Sequence, residues 1–458
     1  MKTKRIPQCC FFLSVGVFFV MLVGCSSPAL DDATANEEEV SIDPSDRLPQ
    51  VFIDTKGIAI PDEPKIDATF LIERQDSVVF NGNIGIEIRG QSSQMFPKKQ
   101  YGFETRDANN EDVDVSLLSL PEEEDWILHA PYSDKSLIRN ALIYDLSRAI
   151  GRYSSRLHFV ELTLNESFDG LYLLMEKLKR DKNRIDINKL KKSEIEGEDL
   201  TGGYIIKIDK ETAYTEGNSF ASLYPPNASI NNQKVYFLFD TPDAEDLTPE
   251  QRNYITTYVG DFEKALASEA FTDPAIGYAP FIDSDSFVDF FLLNELANNV
   301  DGYRLSTWIL KDKNKPIEMG PIWDFNLAFG NADYCEGGAS DVWAYQFNER
   351  CPEDRWQIPF WWDRLLMDPA FRDKVKSRWQ ALRIAEFGES DIFRRIDDYV
   401  LLFEASGSRR GNFNRWPVLG TYVWPNNFVG STHQEEIAYL KGWISNRLAW
   451  LDENIENL

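Results

Sequence analysis

The sequence predicts an α+β fold, in which a β-rich N-terminal half packs on a largely helical C-terminal half. From residue 51 to about 210, segments rich in β-branched or alternating apolar residues dominate, and such segments predict strands. From about residue 249 onward, apolar residues recur at helical spacing, most clearly over 286–298, 369–383 and 435–454. Strands followed along the chain by helices are typical of the α+β class.

Two glycine-containing dipeptides in the first half predict tight turns. Such pairs accept the positive φ angles that two-residue hairpin loops require. Asn81-Gly82 predicts a turn before an alternating strand at 84–88, and Asp169-Gly170 predicts a turn between two apolar strands.

One helix interrupts the strands of the first half. Apolar residues recur at helical spacing over 137–150, and Ser133 or Asp134 can cap this helix. In the second half, residues 306–310 and 317–322 predict a strand pair joined by a turn.

The N-terminus is typical of a bacterial lipoprotein precursor. A few basic residues precede an apolar run that is short for a helix that spans a membrane. The run ends in Leu22-Val23-Gly24-Cys25, which resembles a lipobox. We therefore expect residues 1–24 to be a signal peptide and Cys25 to be lipidated.

The remaining chain divides into a tether and one large domain. Residues 25–48 are acidic and poor in apolar residues, so they predict a disordered tether. Residues 49–458 predict a single domain, with a β-rich lobe at about 49–210 and a mostly helical lobe at about 249–458. From the lipobox we expect an extracytoplasmic protein anchored to the bacterial envelope. Because Ser26 rather than aspartate follows the lipobox cysteine, we expect the anchor to lie in the outer membrane or at the cell surface.

The composition limits the possible partners. The formal net charge is −27 at pH 7, and so large an acidic excess argues against nucleic acid, whose backbone is itself negative. We expect contact with the membrane through the lipid anchor, whereas the composition leaves open whether the partner is a protein or a carbohydrate.

The cysteines predict one disulfide bond. With the signal peptide removed and Cys25 lipidated, Cys335 and Cys351 remain, and an even remainder in an exported chain indicates a disulfide. A metal-binding pair is the alternative, but no histidine lies at ligand spacing near either cysteine.

Two aspartates are candidates for a metal site. Asp301 follows a predicted helix and Asp324 follows a predicted strand, and the strand pair between them can bring the two carboxylates together. Paired carboxylates are the usual way to hold Mg²⁺ against phosphates. From spacing alone a turn or a helix cap remains the alternative for each aspartate.

Two basic features are candidates for binding anions. Residues 90–93 can form a loop whose backbone N–H groups face an anion, and Lys98 and Lys99 follow it, with Lys99 predicted to point inward like Tyr101. A second basic run over 177–192 could receive an acidic substrate. A solvated surface is the alternative in both cases. The sequence contains neither GxxxxGK[ST] nor GxGxxG.

At these residues the chain resembles the spore coat protein H-like (CotH) kinase family. The resemblance extends over most of the sequence after the tether. The matching segments are RGQSSQMFPKKQYGF (89–103), DWILHAPYSDKSLIRNALIYDL (125–146), DGLYLLME (169–176), GGYIIKID (202–209), VDGYRLS (300–306), WDFNLAFGN (323–331) and YLKGWISNRLAWL (439–451).

The resemblance implies a reduced, atypical protein-kinase-like fold that uses ATP and Mg²⁺. It implies that Asp301 is the catalytic aspartate that orients the substrate hydroxyl, and that Asp324 is the metal-binding aspartate. Ser306 and Asn326 match two further metal positions, where kinases place asparagine and the family often places a second aspartate. Because both are neutral here, we expect weaker metal binding.

The resemblance also implies residues for the nucleotide. Arg89 and either Lys98 or Lys99 are expected to hold its phosphates, and Glu176 is the candidate ion-pair partner of that lysine. The implied function is transfer of phosphate from a nucleotide to serine or another hydroxyl acceptor. The alternative is an inactive pseudokinase that serves as a protein- or carbohydrate-binding surface lipoprotein.

Overall fold

The computed structural model describes residues 44–210 and 217–458. The predicted signal peptide, Cys25 and most of the predicted tether lie outside the described residues. Within them, no helix combines the length and the apolar composition that crossing a membrane requires.

A closed β-barrel forms the N-terminal part of the fold. Its order is β1-β2-β3-β4-β5-β7-β6, and the barrel closes where β1 pairs in parallel with β6. Large side chains fill the interior, among them Phe70, Phe103, Trp126 and Tyr172. The strands are β1 (Gln50–Asp54), β2 (Ile66–Arg74), β3 (Ser77–Arg89), β4 (Gln100–Arg106), β5 (Asp125–His129), β6 (Leu157–Leu164) and β7 (Ser167–Glu176).

A second sheet of five strands connects the two halves of the sequence. Its order is β12-β11-β8-β10-β9. Strand β11, from the helical half, pairs antiparallel with β8 from the β-rich half, so the two halves share a sheet. The strands are β8 (Tyr204–Ile208), β9 (Ser219–Ala221), β10 (Tyr236–Thr241), β11 (Thr307–Lys311) and β12 (Ile317–Met319).

The helices, all but one from the second half, pack around one long buried helix, α3. Every residue of α3 from Ser286 to Ala297 is buried, and its phenylalanines contact Trp362 in the main core. The helices are α1 (Arg139–Ala149), α2 (Pro249–Ala267), α3 (Ser284–Ala297), α4 (Phe347–Arg350), α5 (Trp361–Leu366), α6 (Pro369–Arg383), α7 (Glu389–Ser406), α8 (Ser408–Arg415) and α9 (His433–Asn454).

The predicted division into a β-rich first half and a helical second part is confirmed. Helix α1 was also predicted, and the Asp134 carboxylate does accept a hydrogen bond from the N–H of Arg139 at its start (2.8 Å). The predicted strand pair appears as β11 and β12, and the Cys335–Cys351 disulfide is present, with a Cα–Cα distance of 5.7 Å.

The turn predicted at Asn81-Gly82 is wrong. Both residues lie inside β3, which pairs with β2 through this region. The chain instead reverses at Gln75 and Asp76, which have φ of 52° and 56°. The physical reason is that polar residues such as these can adopt the left-handed conformation, as glycine does, in the turn of a long, well-paired hairpin.

The turn predicted at Asp169-Gly170 is wrong for a similar reason. The β6–β7 hairpin turns at Asn165 and Glu166, with φ of 48° and 64°. Gly170 lies within β7, where a Cβ atom would come within 2.8 Å of a side-chain oxygen of α8. This glycine therefore permits close approach of a helix rather than a turn.

Candidate active site

One cavity of about 560 Å³ contains most of the candidate residues. Its wall comes from the ends of β3, β4, β5 and β7, from α1, and from the segments that follow β8, α3 and β12. The charged residues in its wall are Arg89, Asp209, Lys210, Asp301, Arg304, Asp324 and Asp354.

Helix α1 holds the backbone at Asp324. Asn140 and Tyr144 lie four residues apart and therefore on one face of the helix. The Tyr144 hydroxyl accepts a hydrogen bond from the N–H of Asp324 (3.1 Å), and the Asn140 side-chain carbonyl accepts one from the N–H of Phe325 (2.7 Å). Asp324 has φ of 61°, an uncommon conformation for a residue other than glycine, and such strain concentrates at functional sites.

The Asp324 carboxylate has no hydrogen bond or ion pair with any other described residue. Burial in the cavity wall and, second, the nearby charge of Asp301 raise its pKa to about 6, while Arg89 opposes the shift. A half-buried carboxylate without a direct partner in the protein is unfavourable, and a bound cation would relieve this cost.

A chain of buried hydrogen bonds connects the barrel to the Asp324 loop. The Gln100 side-chain oxygen lies 2.8 Å from His129 Nδ1, and the Asn140 amide nitrogen lies 3.2 Å from His129 Nε2. Burial lowers the pKa of His129 to about 3, and the charge of Arg89 acts in the same direction. A neutral imidazole protonated on Nδ1 satisfies both contacts, so β4 and β5 fix Asn140 and, through it, the Asp324 loop.

Asp301 lines the same cavity and follows α3. The helix ends because Asn298 adopts the left-handed conformation, with φ of 41°. The Asn299 side chain then accepts a hydrogen bond from the N–H of Asp301 (3.2 Å). Arg304 Nη2 donates to Asp301 Oδ1 (2.9 Å), which leaves Oδ2 without a hydrogen bond to the described residues.

Arg304 is in turn held in place by a second carboxylate. Its guanidinium lies 3.3 Å from Asp354 Oδ1, donates to the Trp356 carbonyl (3.2 Å) and stacks over the Phe347 ring. Because Arg304 is nearly fully buried, these contacts fix its position and therefore the orientation of Asp301.

Arg89 is the cation nearest to Asp324 in the barrel wall. Its guanidinium carbon lies 5.6 Å from the centre of the Trp323 ring, and burial lowers its pKa while Asp324 opposes that shift. The predicted loop 90–93 follows it and lines the cavity. Gly90 has φ of 94°, and the backbone N–H groups of residues 91–93 donate to no described acceptor.

Ser306 and Asn326 both line the cavity, as the resemblance implied for metal positions. The carboxylates of the cavity do not form a three-ligand cage. Among the described residues, such a cage occurs only at Asp114, Glu123 and Glu124, and there Lys179 already bonds to both glutamates.

The structure does not bring either candidate lysine into the cavity. Lys98 is fully buried and donates to the Leu171 carbonyl (2.5 Å) and to Asn412 Oδ1 (2.8 Å), so it links the barrel to α8. Lys99, predicted to be the inward residue, is only partly buried and donates to the Gln94 carbonyl (2.6 Å). The prediction failed because strand alternation begins at Gln100 and does not extend back through the preceding proline turn.

Glu176 is likewise not the partner of a lysine. It is fully buried and forms ion pairs with Arg156 (2.5 Å) and Arg184 (3.8 Å). Lys98 contacts Leu171, five residues earlier on β7, which corresponds to about 16 Å along a strand. Lys98 therefore contacts the middle of β7, whereas Glu176 is the last residue of that strand.

Several residues of the cavity were not predicted. Asp209 ends the matching segment GGYIIKID, Lys210 follows it, and both line the cavity because β8 stops just before them. Their position after an apolar strand was a usable signal. Tyr334, Asp354, Trp356 and Trp424 come from irregular segments, and no spacing in the sequence relates them to one another.

The fold and cavity define an α+β protein with a cleft in which acidic side chains face a buried arginine. A family model described as CotH kinase protein matches residues 86–451, most of the chain. The chain therefore belongs to the CotH kinase family, and the resemblance drawn from the sequence is confirmed. A search of curated proteins found no match.

Proposed function

We propose that this protein is a metal-dependent phosphotransferase that moves the γ-phosphate of ATP to a serine or another hydroxyl. The observation that carries the proposal is the Asp324 carboxylate, held in a strained loop without a direct partner, in the same cavity as Asp301. Kinases need one carboxylate for the metal and another for the acceptor hydroxyl. We also propose that the α+β fold is a reduced kinase-like fold.

The nucleotide phosphates fit the barrel side of the cavity. Arg89 lies beside Trp323 there, and Lys210 Nζ lies 3.4 Å from Ser92 Oγ in the loop that follows Arg89. The N–H groups of residues 91–93 add donors that have no acceptor of their own. Cations and free backbone N–H groups are the donors that phosphate requires. In this proposal Arg89 keeps the role predicted for it, and Lys210 takes the place of the predicted lysine.

A Mg²⁺ ion fits at Asp324, with Asn326 and Ser306 as neutral oxygen donors. Magnesium is usually bound through one or two carboxylates together with water and substrate phosphates, so the lack of a three-carboxylate cage is compatible with this ion. When bound, the ion would neutralise negative charge on the phosphates.

Asp301 is proposed to act on the acceptor. Arg304 occupies Oδ1 and holds the carboxylate in one orientation. The remaining oxygen, Oδ2, can accept the hydrogen bond of an incoming hydroxyl and then its proton.

The location of the protein is part of the proposal. The lipobox predicts attachment to the envelope through Cys25, with the domain outside the cytoplasm. The acceptor is then a protein or carbohydrate of that compartment.

Calorimetric titration of the full-length chain with ATP, with and without Mg²⁺, tests the function. We expect binding in the micromolar to millimolar range that requires the metal, and phosphate transfer to a serine-rich test protein or a saccharide. If no nucleotide binds at millimolar concentration, the proposed phosphotransferase function is wrong, and the alternative of an inactive, ligand-binding lipoprotein is favoured.

A further inference from the structure

Three aromatic side chains lie together on the Asp301 side of the cavity. Tyr334, Trp356 and Trp424 all line it. The rings of Tyr334 and Trp424 are parallel to within 2°, with centres 6.2 Å apart. Trp424 is 41% exposed, whereas every other tryptophan of the chain is buried or half-buried. An exposed tryptophan at a cavity mouth is a surface that a ligand can cover.

This aromatic surface is rigid. The N–H of Asp333 donates to the Pro425 carbonyl (2.9 Å), and the N–H of Asn427 donates to the Asn331 carbonyl (2.9 Å), so the two segments run side by side. The buried Asn426 side chain donates to Asn331 Oδ1 (3.0 Å) as well. Fixed aromatic rings lose little conformational entropy when a ligand binds.

The aromatic cluster belongs to the acceptor side of the cavity. Trp356 is bonded through its backbone to Asp354 (2.8 Å) and to Arg304 (3.2 Å), the residue that orients Asp301. Burial raises the pKa of Tyr334, and Asp301 is the charge that contributes most to that shift. Arg89, a phosphate-binding candidate, lies beside Trp323 instead, whereas Lys210, the other candidate, lies 5.3 Å from the centre of the Trp356 ring, so Trp356 borders both groups of residues.

The shape of the wall argues against an extended peptide as the main ligand. The strands that contribute to the cavity, β3, β4, β5 and β7, have both edges paired in the closed barrel. No free strand edge among the described lining residues can therefore pair with a peptide backbone. Recognition instead depends on flat aromatic faces beside carboxylates, which suit the C–H face and the hydroxyl groups of a sugar ring.

We propose that Tyr334, Trp356 and Trp424 form an acceptor subsite that binds the sugar ring of a neutral saccharide and presents one hydroxyl to Asp301. This acceptor role rests on the proposed phosphotransferase function. A neutral sugar is favoured because four aspartates and only three cations line the cavity of a chain with a net charge of −27.

The reaction balances with the groups already named. The sugar hydroxyl oxygen forms a bond to the γ-phosphorus, and the bond from that phosphorus to the bridging oxygen breaks. The nucleoside diphosphate leaves with the electron pair, and the hydroxyl proton passes to the Asp301 carboxylate.

Titration of the full-length chain in detergent with hexasaccharides of β-1,4-linked glucose, xylose and mannose, without nucleotide, tests the subsite. We expect at least one to bind and Trp424→Ala to weaken it about tenfold, the loss expected for a stacked ring. Leu401→Ala is the control, because Leu401 is an exposed apolar residue on α7 that does not line the cavity. Its saccharide affinity should stay within about twofold of the wild type.

Titration of the same preparation with ATP and Mg²⁺ separates the two proposals. A saccharide concentration of 10 mM is on the order of the Kd of the weakest specific sites. If ATP binds but no hexasaccharide binds at this concentration, the proposed saccharide subsite is overturned and the proposed phosphotransferase function stands. The subsite is also overturned if the wild type and Trp424→Ala bind the saccharide with equal affinity. It is likewise overturned if Trp424→Ala weakens only the binding of ATP or of a serine-rich peptide. If a saccharide binds through Trp424 but ATP does not bind, the acceptor role is overturned.

Discussion

Asp301 and Asp324 have the same side chain in the same cavity, but their surroundings differ. Arg304 holds one oxygen of Asp301, whereas the Asp324 carboxylate has no direct partner among the described residues. The first is therefore oriented and the second is free to take a cation. Each assigned role depends on this difference.

The two roles predict different losses on substitution. Asp324→Ala should weaken Mg²⁺-dependent ATP binding by at least about a hundredfold, because it removes the charged metal ligand. Asp301→Asn should keep nucleotide affinity within about threefold and lower turnover by at least about a hundredfold, because it removes the proton acceptor. Calorimetry and a phosphate-transfer assay on both variants measure the split. Equal nucleotide binding by the two variants would show that the metal is held elsewhere.

The raised pKa of Asp324 means that its ionised carboxylate lowers the free energy of unfolding at neutral pH. Its folded pKa of about 6 lies above the ordinary 3.8, so the native state holds the proton more tightly than the unfolded state and stability falls as the pH rises from about 4 to 6. Asp324→Asn in metal-free buffer should therefore raise the free energy of unfolding at pH 7 by about 2–3 kcal/mol, with the gain vanishing near pH 4.

Urea denaturation at several pH values in EDTA measures this gain. Asp373→Asn is the control, because Asp373 is an exposed residue on α6 outside the cavity, and its effect should stay within about 0.5 kcal/mol. A gain for Asp324→Asn that does not change between pH 4 and pH 7 would contradict the electrostatic account.

The sequence predicted the two aspartates because each lies in a short motif beside the end of a regular element. It did not predict which cations would face them. Lys98 and Lys99 looked suitable from the alternation of β4, but one proline turn changed which side chain was buried. Lys210 entered the cavity only because β8 ends at Ile208. Such placements depend on where strands stop, which is the least certain part of a sequence pattern.

At the scale of elements, α1 transmits the geometry of the barrel to the Asp324 loop. Asn140 contacts His129 on one side and the N–H of Phe325 on the other. Asn140→Ala should leave these buried groups unpaired, lower the free energy of unfolding by about 1–3 kcal/mol, and also weaken Mg²⁺-dependent ATP binding about tenfold.

A second substitution on α1 separates positioning from stability. Ser147 Oγ donates to the Arg152 carbonyl (3.3 Å), away from the cavity. Ser147→Ala should cost stability but change ATP affinity by less than about twofold. If both variants lose affinity in proportion to stability, Asn140 has no special positioning role.

The Cys335–Cys351 disulfide closes the segment between two cavity residues, Tyr334 and Asp354. The N–H of Asp354 also donates to the Cys351 carbonyl (3.0 Å). Replacing both cysteines with alanine should lower the free energy of unfolding by about 2–4 kcal/mol, as expected for a loop of about this length. Urea denaturation with and without reductant measures this, and reductant should affect only the wild type. If reductant lowers the stability of both proteins equally, it acts on a group other than this disulfide.

The fold as a whole was predictable in class but not in topology. The β6–β7 hairpin was predicted as a pair of strands, but its turn was assigned to Asp169-Gly170, and the turn predicted at Asn81-Gly82 falls inside the single strand β3. The sequence pattern cannot tell a turn glycine from one that lies within a strand. Closure of the barrel through the parallel β1–β6 pair, and the sharing of a sheet by β8 and β11, depend on contacts between residues distant in sequence. Local periodicity carries no information about such contacts.

The whole molecule places an acidic cleft on a domain that is expected to stand on a membrane. The lipid anchor decides which acceptors and nucleotides the cleft meets, and it stays a prediction because Cys25 lies outside the described residues. Cys25→Ser should abolish labelling by a fatty-acid analogue in living cells, because only the thiol takes the lipid in a lipobox, and should release the protein from the membrane fraction, since a −27 chain has no charge attraction to anionic lipid. Cys9→Ser, in the same signal peptide, should keep full labelling. Labelling that persists in Cys25→Ser, or is lost equally in Cys9→Ser, would contradict the assignment of the lipobox.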